Sequence, residues 1–359
     1  MRRRALLLAV VTLPIRLLAQ DRTIDSLVRA HMATHRVPGA QVAIVRAGRI
    51  THLGAYGIAD LTHAIPVRDE TAFSIASATK SFSGVALMQL VETGKLTLDA
   101  PVSQFVDTLP APWRAITIRQ LATHTSGLPD MVNPESGALL APSADSAWAQ
   151  VQRLPMQSAP GTRWSYNQTN YWLLGRVVER VTQQPFTHVV GRQFTAAGMT
   201  STTYGDIHDI RPNTADTYSF LRFRGDSSWR DTTLQRVVVE FAAPLRMAGG
   251  INASARDLAR WLIALTRGTL LHAASRDTLW ASPRMANGRI LGDGDINGYG
   301  IGWPTFNDRD HPSVAGLGGG RAAFFLYPKD DCAVVVLTNL QGSRPEVLAQ
   351  AIAARVLAR

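Results

Sequence analysis

Apolar residues recur along this chain in two rhythms. Ile24, Leu27, Val28 and Met32 fall at helical spacing and are stopped by Pro38-Gly39. Residues 41–45 and 50–56 then read as the two strands of a hairpin turning at Ala47-Gly48, with a connecting loop over 60–70. After Lys80 the helical period returns at Phe82, Val85, Ala86 and Leu90, and this helix ends near Gly94. From Trp113 to about Val181 the signals stay mostly helical, broken by loops rich in Pro, Ser and Gly at 128–143 and 159–162. Residues 209–236 are polar, arginine-rich and weakly periodic, so a long surface excursion is expected there. An amphipathic stretch at 255–265 precedes strand candidates at 300–303, 322–327 and 333–337. The Asp330-Asp331 turn joins the last two, and an apolar helix pattern covers 346–357.

Strands at both ends with helices between them predict an α+β fold. Its antiparallel sheet is assembled from the N- and C-terminal strands and flanked by helices, with a mostly helical subdomain inserted. A single domain is expected over residues 20–359, with an α/β part at about 20–75 and 240–359 and a helical part at about 76–239. No internal repeats are seen.

Hydrophobic content of 46% against 18% charged residues excludes a disordered chain. Lys+Arg 37 against Asp+Glu 27 makes it basic, but the excess is scattered and mostly arginine. Nucleic-acid binding would need a clustered stripe with aromatic or recognition-helix context, and neither is present. Cys332 is the only cysteine, which excludes an intramolecular disulfide and a multi-cysteine metal site, and its Val-rich neighbours make it a core-strand residue. Met1-Arg2-Arg3-Arg4 and the apolar run after it read as a secretory signal over 1–19, too short before Arg16 to span a bilayer. Ala19 stands before the expected cleavage point, although Leu17 is not the small residue preferred two positions earlier. A periplasmic or secreted protein is therefore expected, with a membrane-tethered N-terminus as the lesser option.

The chemistry starts at Ser77-Ala78-Thr79-Lys80. Three residues apart on a helix, the hydroxyl and the amine share one face. A serine becomes nucleophilic when a neighbouring base takes its proton, and a partly desolvated lysine can be that base. On this pattern alone, a helix-capping serine followed by a solvated lysine is the competing reading.

Longer phrases decide between them. Tyr166-Asn167-Gln168 runs into Leu173-Leu174-Gly175, and three more stretches belong with it. They are Thr117-Ile118-Arg119-Gln120-Leu121-Ala122-Thr123-His124-Thr125-Ser126-Gly127-Leu128, Gly249-Gly250-Ile251-Asn252-Ala253-Ser254 and Tyr299-Gly300-Ile301-Gly302-Trp303. In this order they resemble the serine β-lactamase and penicillin-binding-protein family, in particular class C β-lactamases and their esterase and peptidase relatives. The resemblance implies Ser77 as the acylated nucleophile, Lys80 as its base and Tyr166 as a second proton-transfer group. Gln168 stands where that family has asparagine, keeping the amide on a stem one methylene longer. The family's basic residue plus glycine, on the strand walling the site, aligns with Ala315-Gly316-Leu317-Gly318-Gly319-Gly320-Arg321. Leu317 takes the place of the Lys or His, with Arg321 or His311 as possible substitutes for its charge. Gln168, Gly318, Gly319, Gly320 and Arg321 are thus the expected substrate-binding residues, with an oxyanion hole from the N–H of Ser77 and of a residue around Gly320.

The implied activity is hydrolysis of an ester or amide, β-lactams and D-alanyl peptides among them, through an acyl-enzyme and without cofactor or metal. The expected partner is a small acyl ester, amide or peptide. The alternative is a catalytically silent relative that binds peptide or cell-wall fragments. No G-x-S-x-G elbow exists to pair with His124, which is read as structural. His31 and His35 lack the glutamate of a zinc motif, residues 293–298 open like a calcium loop but reach Pro304 at its twelfth position, and Asp206, His208 and Asp209 read as a polar loop.

Overall fold

Helix α1 (Ala9–His35) leads into the expected hairpin of β1 (Gly39–Arg46) and β2 (Arg49–Asp60), followed by β3 (Ile65–Pro66). The computed structural model describes residues 9–133, 138–205, 209–224, 227–238, 243–285 and 296–358. Asp206, His208 and the start of the calcium-like stretch at 293–295 lie outside them, as do residues 1–8 of the expected signal. β4 (Phe73–Ser74) and a single 3-10 turn (Ala76–Ala78) precede α2 (Thr79–Glu92). The helical block continues with α3 (Ile118–Ala122), α4 (Ala144–Val151), α5 (Gln168–Thr182) and α6 (Phe186–Ala196). Four strands follow, β5 (Thr203–Tyr204), β6 (Thr217–Arg224), β7 (Ser227–Val237) and β8 (Ile251–Ala253), then helices α7 (Ala255–Thr266) and α8 (Ala273–Trp280). The last elements are β9 (Gly298–Tyr299), β10 (Pro304–Phe306), β11 (Ser313–Gly318), β12 (Ala322–Tyr327), β13 (Cys332–Thr338) and α9 (Pro345–Leu357).

The main sheet runs β3-β2-β1-β13-β12-β11-β10-β9. Its centre joins the two ends of the chain, since β1 pairs antiparallel with β13 and Val42 lies opposite Val336. Side chains alternate across the pleat and so divide between two cores. Ala43, Val45, Phe324, Leu326, Val335 and Leu337 belong to the core shared with the helical block. Val42, Ile44, Phe325, Val334 and Val336 face the other way, in a core shared with Ile24 and Val28 of α1 and Leu348 and Ile352 of α9.

Helix α2 is buried on nearly every side, as befits an element enclosed by sheet and helices. Phe82 stacks on Trp261 of α7 with ring centroids 3.8 Å apart, and Trp303 continues that aromatic column against Phe324. This column carries contact from the central helix to the sheet.

Two expectations change. Residues 209–236 are more than a surface excursion, because β6 and β7 form a two-stranded ribbon within them. Tyr218 and Phe220 of β6 are buried against Val37 and Leu340, an alternation hidden in the sequence by the arginines around it. The strand expected at 300–303 is instead the turn between β9 and β10. Gly300 N–H donates to Trp303 O at 2.8 Å, and Gly302 takes φ +80° where a β-carbon would stand 2.2 Å from Lys80 O. None of the described helices is long and apolar enough to cross a membrane.

Candidate active site

Ser77 is placed by a short strained connection. β4 pairs with β8, and Ile75 N–H donates to Ile251 O at 3.0 Å. Ala76 then adopts φ +45°, a left-handed conformation that a residue with a β-carbon rarely takes. The 3-10 turn follows and feeds into α2, leaving Ser77 partly exposed between buried Ala76 and Ala78. β11 lies against this turn. A β-carbon at Gly318 would stand 1.8 Å from Ile75 O, so only glycine lets the strand approach this closely.

Lys80 is 1% exposed, and its Nζ donates to Gln168 Oε1 at 3.0 Å, Ala248 O at 3.1 Å and Ser77 Oγ at 3.4 Å. Gln168 opens α5 on the far side of the amine. The N-terminus of that helix is held in detail. Asn167 caps it by accepting from Asn170 N–H, and the Asp130 carboxylate accepts the Gln168 N–H at 3.0 and 3.1 Å. Burial raises the Asp130 carboxyl above its ordinary value, against the lowering effect of the N–H groups it caps and of Lys80.

Tyr166 is 39% exposed and lays its ring over Lys80, with Nζ 4.7 Å from the centroid. Among the described residues, no hydrogen bond joins its hydroxyl to Ser77 or Lys80. Behind it sits His124, fully buried at φ +59°, its ring centroid 4.6 Å from that of Tyr166. His124 Nδ1 accepts from Asn167 N–H at 3.1 Å and Asn170 Nδ2 at 3.2 Å, which places the proton of the neutral ring on Nε2. Burial, and then the charge of Lys80, holds this imidazole well below the usual histidine range.

The third wall is the end of β11. Ser77, Trp164, Tyr166, Ile296, Tyr299, Gly302, Pro304, Leu317, Gly318, Gly319 and Gly320 enclose a pocket of about 260 Å³. Gly319 and Gly320 turn the chain at φ +56° and +59°, and no backbone acceptor takes their N–H groups or that of Ser77 among the described residues. Of the expected residues, Ser77, Tyr166 and the three glycines thus meet at one pocket, with Lys80 and Gln168 just behind its floor. Arg321 does not reach it. Its guanidinium is buried behind the glycine turn, where Nε and Nη2 donate to Ser74 O at 3.2 Å and Ser74 Oγ at 3.1 Å, and burial lowers it to about 10. His311 is also elsewhere, paired with Asp330 at 3.0 Å near the start of β11.

Sequence reasoning missed Asp130, which lies 38 residues from the N–H it caps and so shows no local spacing. It also missed the Ala248 carbonyl, a backbone group that leaves no mark in side-chain patterns. Trp164 and Tyr299 stood inside or beside the quoted phrases, and their aromatic character was the available signal. Among the described residues, no cluster of three or more His, Cys, Asp or Glu could hold a metal ion.

Comparison with known proteins bears on the family and the fold. The sequence profile of the Beta-lactamase family matches residues 24–359. Protein flp of Staphylococcus aureus (strain COL) is 26% identical over 330 residues, 89% of this chain and 63% of flp, so the chain spans under two thirds of that relative. The octameric penicillin-binding protein homologue from Pyrococcus abyssi superposes with a TM-score of 0.79 at 24% identity, over 94% of this chain and 77% of that one. EstCE1, a hydrolase with promiscuous acyltransferase activity, gives a TM-score of 0.76 at 22% identity, over 94% and 99% of the two chains. At these identities the two structures bear on the fold, an α+β architecture with an antiparallel sheet flanked by helices. The profile match across nearly the whole described chain carries further: this chain belongs to the Beta-lactamase family.

Proposed function

We propose that this protein is a serine hydrolase that cleaves an ester or amide through an acyl-enzyme on Ser77. The observation that carries the reading is the Ser77–Lys80 pair at the foot of the pocket, the amine 3.4 Å from the hydroxyl and steadied by Gln168 and the Ala248 carbonyl. Hydroxyl–base contacts are often this long before substrate binds. In its neutral form Lys80 takes the Ser77 proton as Oγ attacks the substrate carbonyl carbon. The oxyanion of the tetrahedral intermediate is met by the free N–H groups of Ser77 and the Gly319–Gly320 turn. Collapse breaks the bond to the leaving oxygen or nitrogen, which receives the proton through Lys80 and Tyr166. Water then adds to the Ser77 ester by the reverse route, releases the acid and restores the hydroxyl. Export to the periplasm or beyond forms part of this proposal, resting on the N-terminal sequence alone.

Intact-mass spectrometry after reaction with a fluorophosphonate tests it. The expected result is one adduct on Ser77 and none in Ser77→Ala. Labelling at another residue, or none by any acyl probe, would favour the silent relative that only binds.

A further inference from the structure

The chemistry of the pocket wall points to the class of acyl compound it takes, an inference that rests on the reading above. Around Ser77 the wall is built from Trp164, Tyr299, Pro304 and Leu317 with the glycine backbone of β11, and no charged side chain of the described residues lines it. The basic groups that could have served it are committed elsewhere. Lys80 is held beneath the floor by Gln168 and the Ala248 carbonyl and meets the pocket only through Ser77, while Arg321 is engaged by Ser74 behind the turn and His311 by Asp330. A substrate carboxylate laid on this wall would lose its water and gain no cation in return. An apolar or aromatic group would lose nothing there and would stack on Trp164 and Tyr299. At about 260 Å³ the pocket also lies below the roughly 300–1,000 Å³ of sites for drug-sized ligands, which suits a small compound.

We propose that the site selects small neutral acyl esters, with their apolar or aromatic group against Trp164, Tyr299 and Leu317, and discriminates against substrates that carry a carboxylate. The same wall speeds turnover at its end. Hydrolysis converts the neutral ester into an anionic acid, which the wall does not hold.

The test uses matched esters with the purified chain at pH 7.5. Para-nitrophenyl butyrate is compared with mono-para-nitrophenyl glutarate, and phenyl acetate with 4-acetoxybenzoate, each normalised to its spontaneous hydrolysis. Acylation of Ser77 is followed by quenched intact mass. For each pair the anionic ester should show kcat/KM lower by about 30-fold or more. Leu317→Lys should narrow the gap, and Pro304→Lys offers a second position on the wall if that variant does not fold. Anionic esters turned over within about 3-fold of their neutral partners, with Ser77 acylated, would overturn the inference and leave the hydrolase reading standing. If neither kind of ester acylates Ser77, the hydrolase reading fails and the inference falls with it.

Discussion

Gln168 shows how one stem length is matched to one distance. Its amide oxygen reaches Lys80 Nζ at 3.0 Å from the first turn of α5. Gln168→Asn restores the family's usual residue but shortens the stem, so this bond should be lost and the amine left to its other two acceptors. Acylation by para-nitrophenyl acetate should slow about 10-fold, near the upper end for losing one neutral hydrogen bond, with little change in the thermal midpoint. A stopped-flow burst rate within about 2-fold of the parent would show that this amide does not position the lysine. At this scale the sequence was informative wherever spacing forces proximity. A spacing of three brings Ser77 and Lys80 to one side where the 3-10 turn feeds into α2. Arg321 follows a turn of three glycines, and nothing local dictates which side of such a turn a long side chain leaves by. Here it leaves towards Ser74.

The N-terminus of α5 is the element on which the site's far side depends. Asn167, Asp130 and His124 hold it, and His124 does so only while neutral, because its Nδ1 must accept. The folded imidazole is held well below its ordinary value, so between that lowered value and about 6.5 the unfolded chain binds a proton that the fold does not. Stability from this group is therefore complete above about pH 6.5 and is lost as pH falls below it. His124→Asn, which tolerates the left-handed backbone, should flatten the fall in thermal midpoint between pH 7.5 and pH 5 relative to the parent. Parallel profiles would remove His124 from the account. Regular elements were legible where apolar periodicity was clean, as at β12, β13 and α7. The β6–β7 ribbon was hidden because Tyr218 and Phe220 flank a serine and are soon followed by arginines at 222 and 224, and two buried aromatics are a weak signal.

Across the whole molecule, the helical block and the sheet share one core running from Trp113 through Phe82 to Phe324. They should therefore unfold together. Urea curves followed by far-UV circular dichroism and by tryptophan fluorescence should coincide, since tryptophans lie in both parts, Trp113, Trp148 and Trp172 in one and Trp261, Trp280 and Trp303 in the other. Separated midpoints would mean two independently folding units. The assembly of the sheet from both ends of the chain was legible because strand patterns flanked a long helical interval. The pairing partners were not, since β1 meets β13 across most of the sequence and no local pattern encodes that register.

Because the pocket's third wall is β11, a ribosome has already delivered Ser77, Lys80 and Tyr166 long before the cavity exists. Nascent chains thus carry the candidate site residues with nothing yet to hold a substrate against them. Fragments cut before Ser313 should be hydrolytically inert, and turnover by the purified chain then counts only molecules translated past that strand.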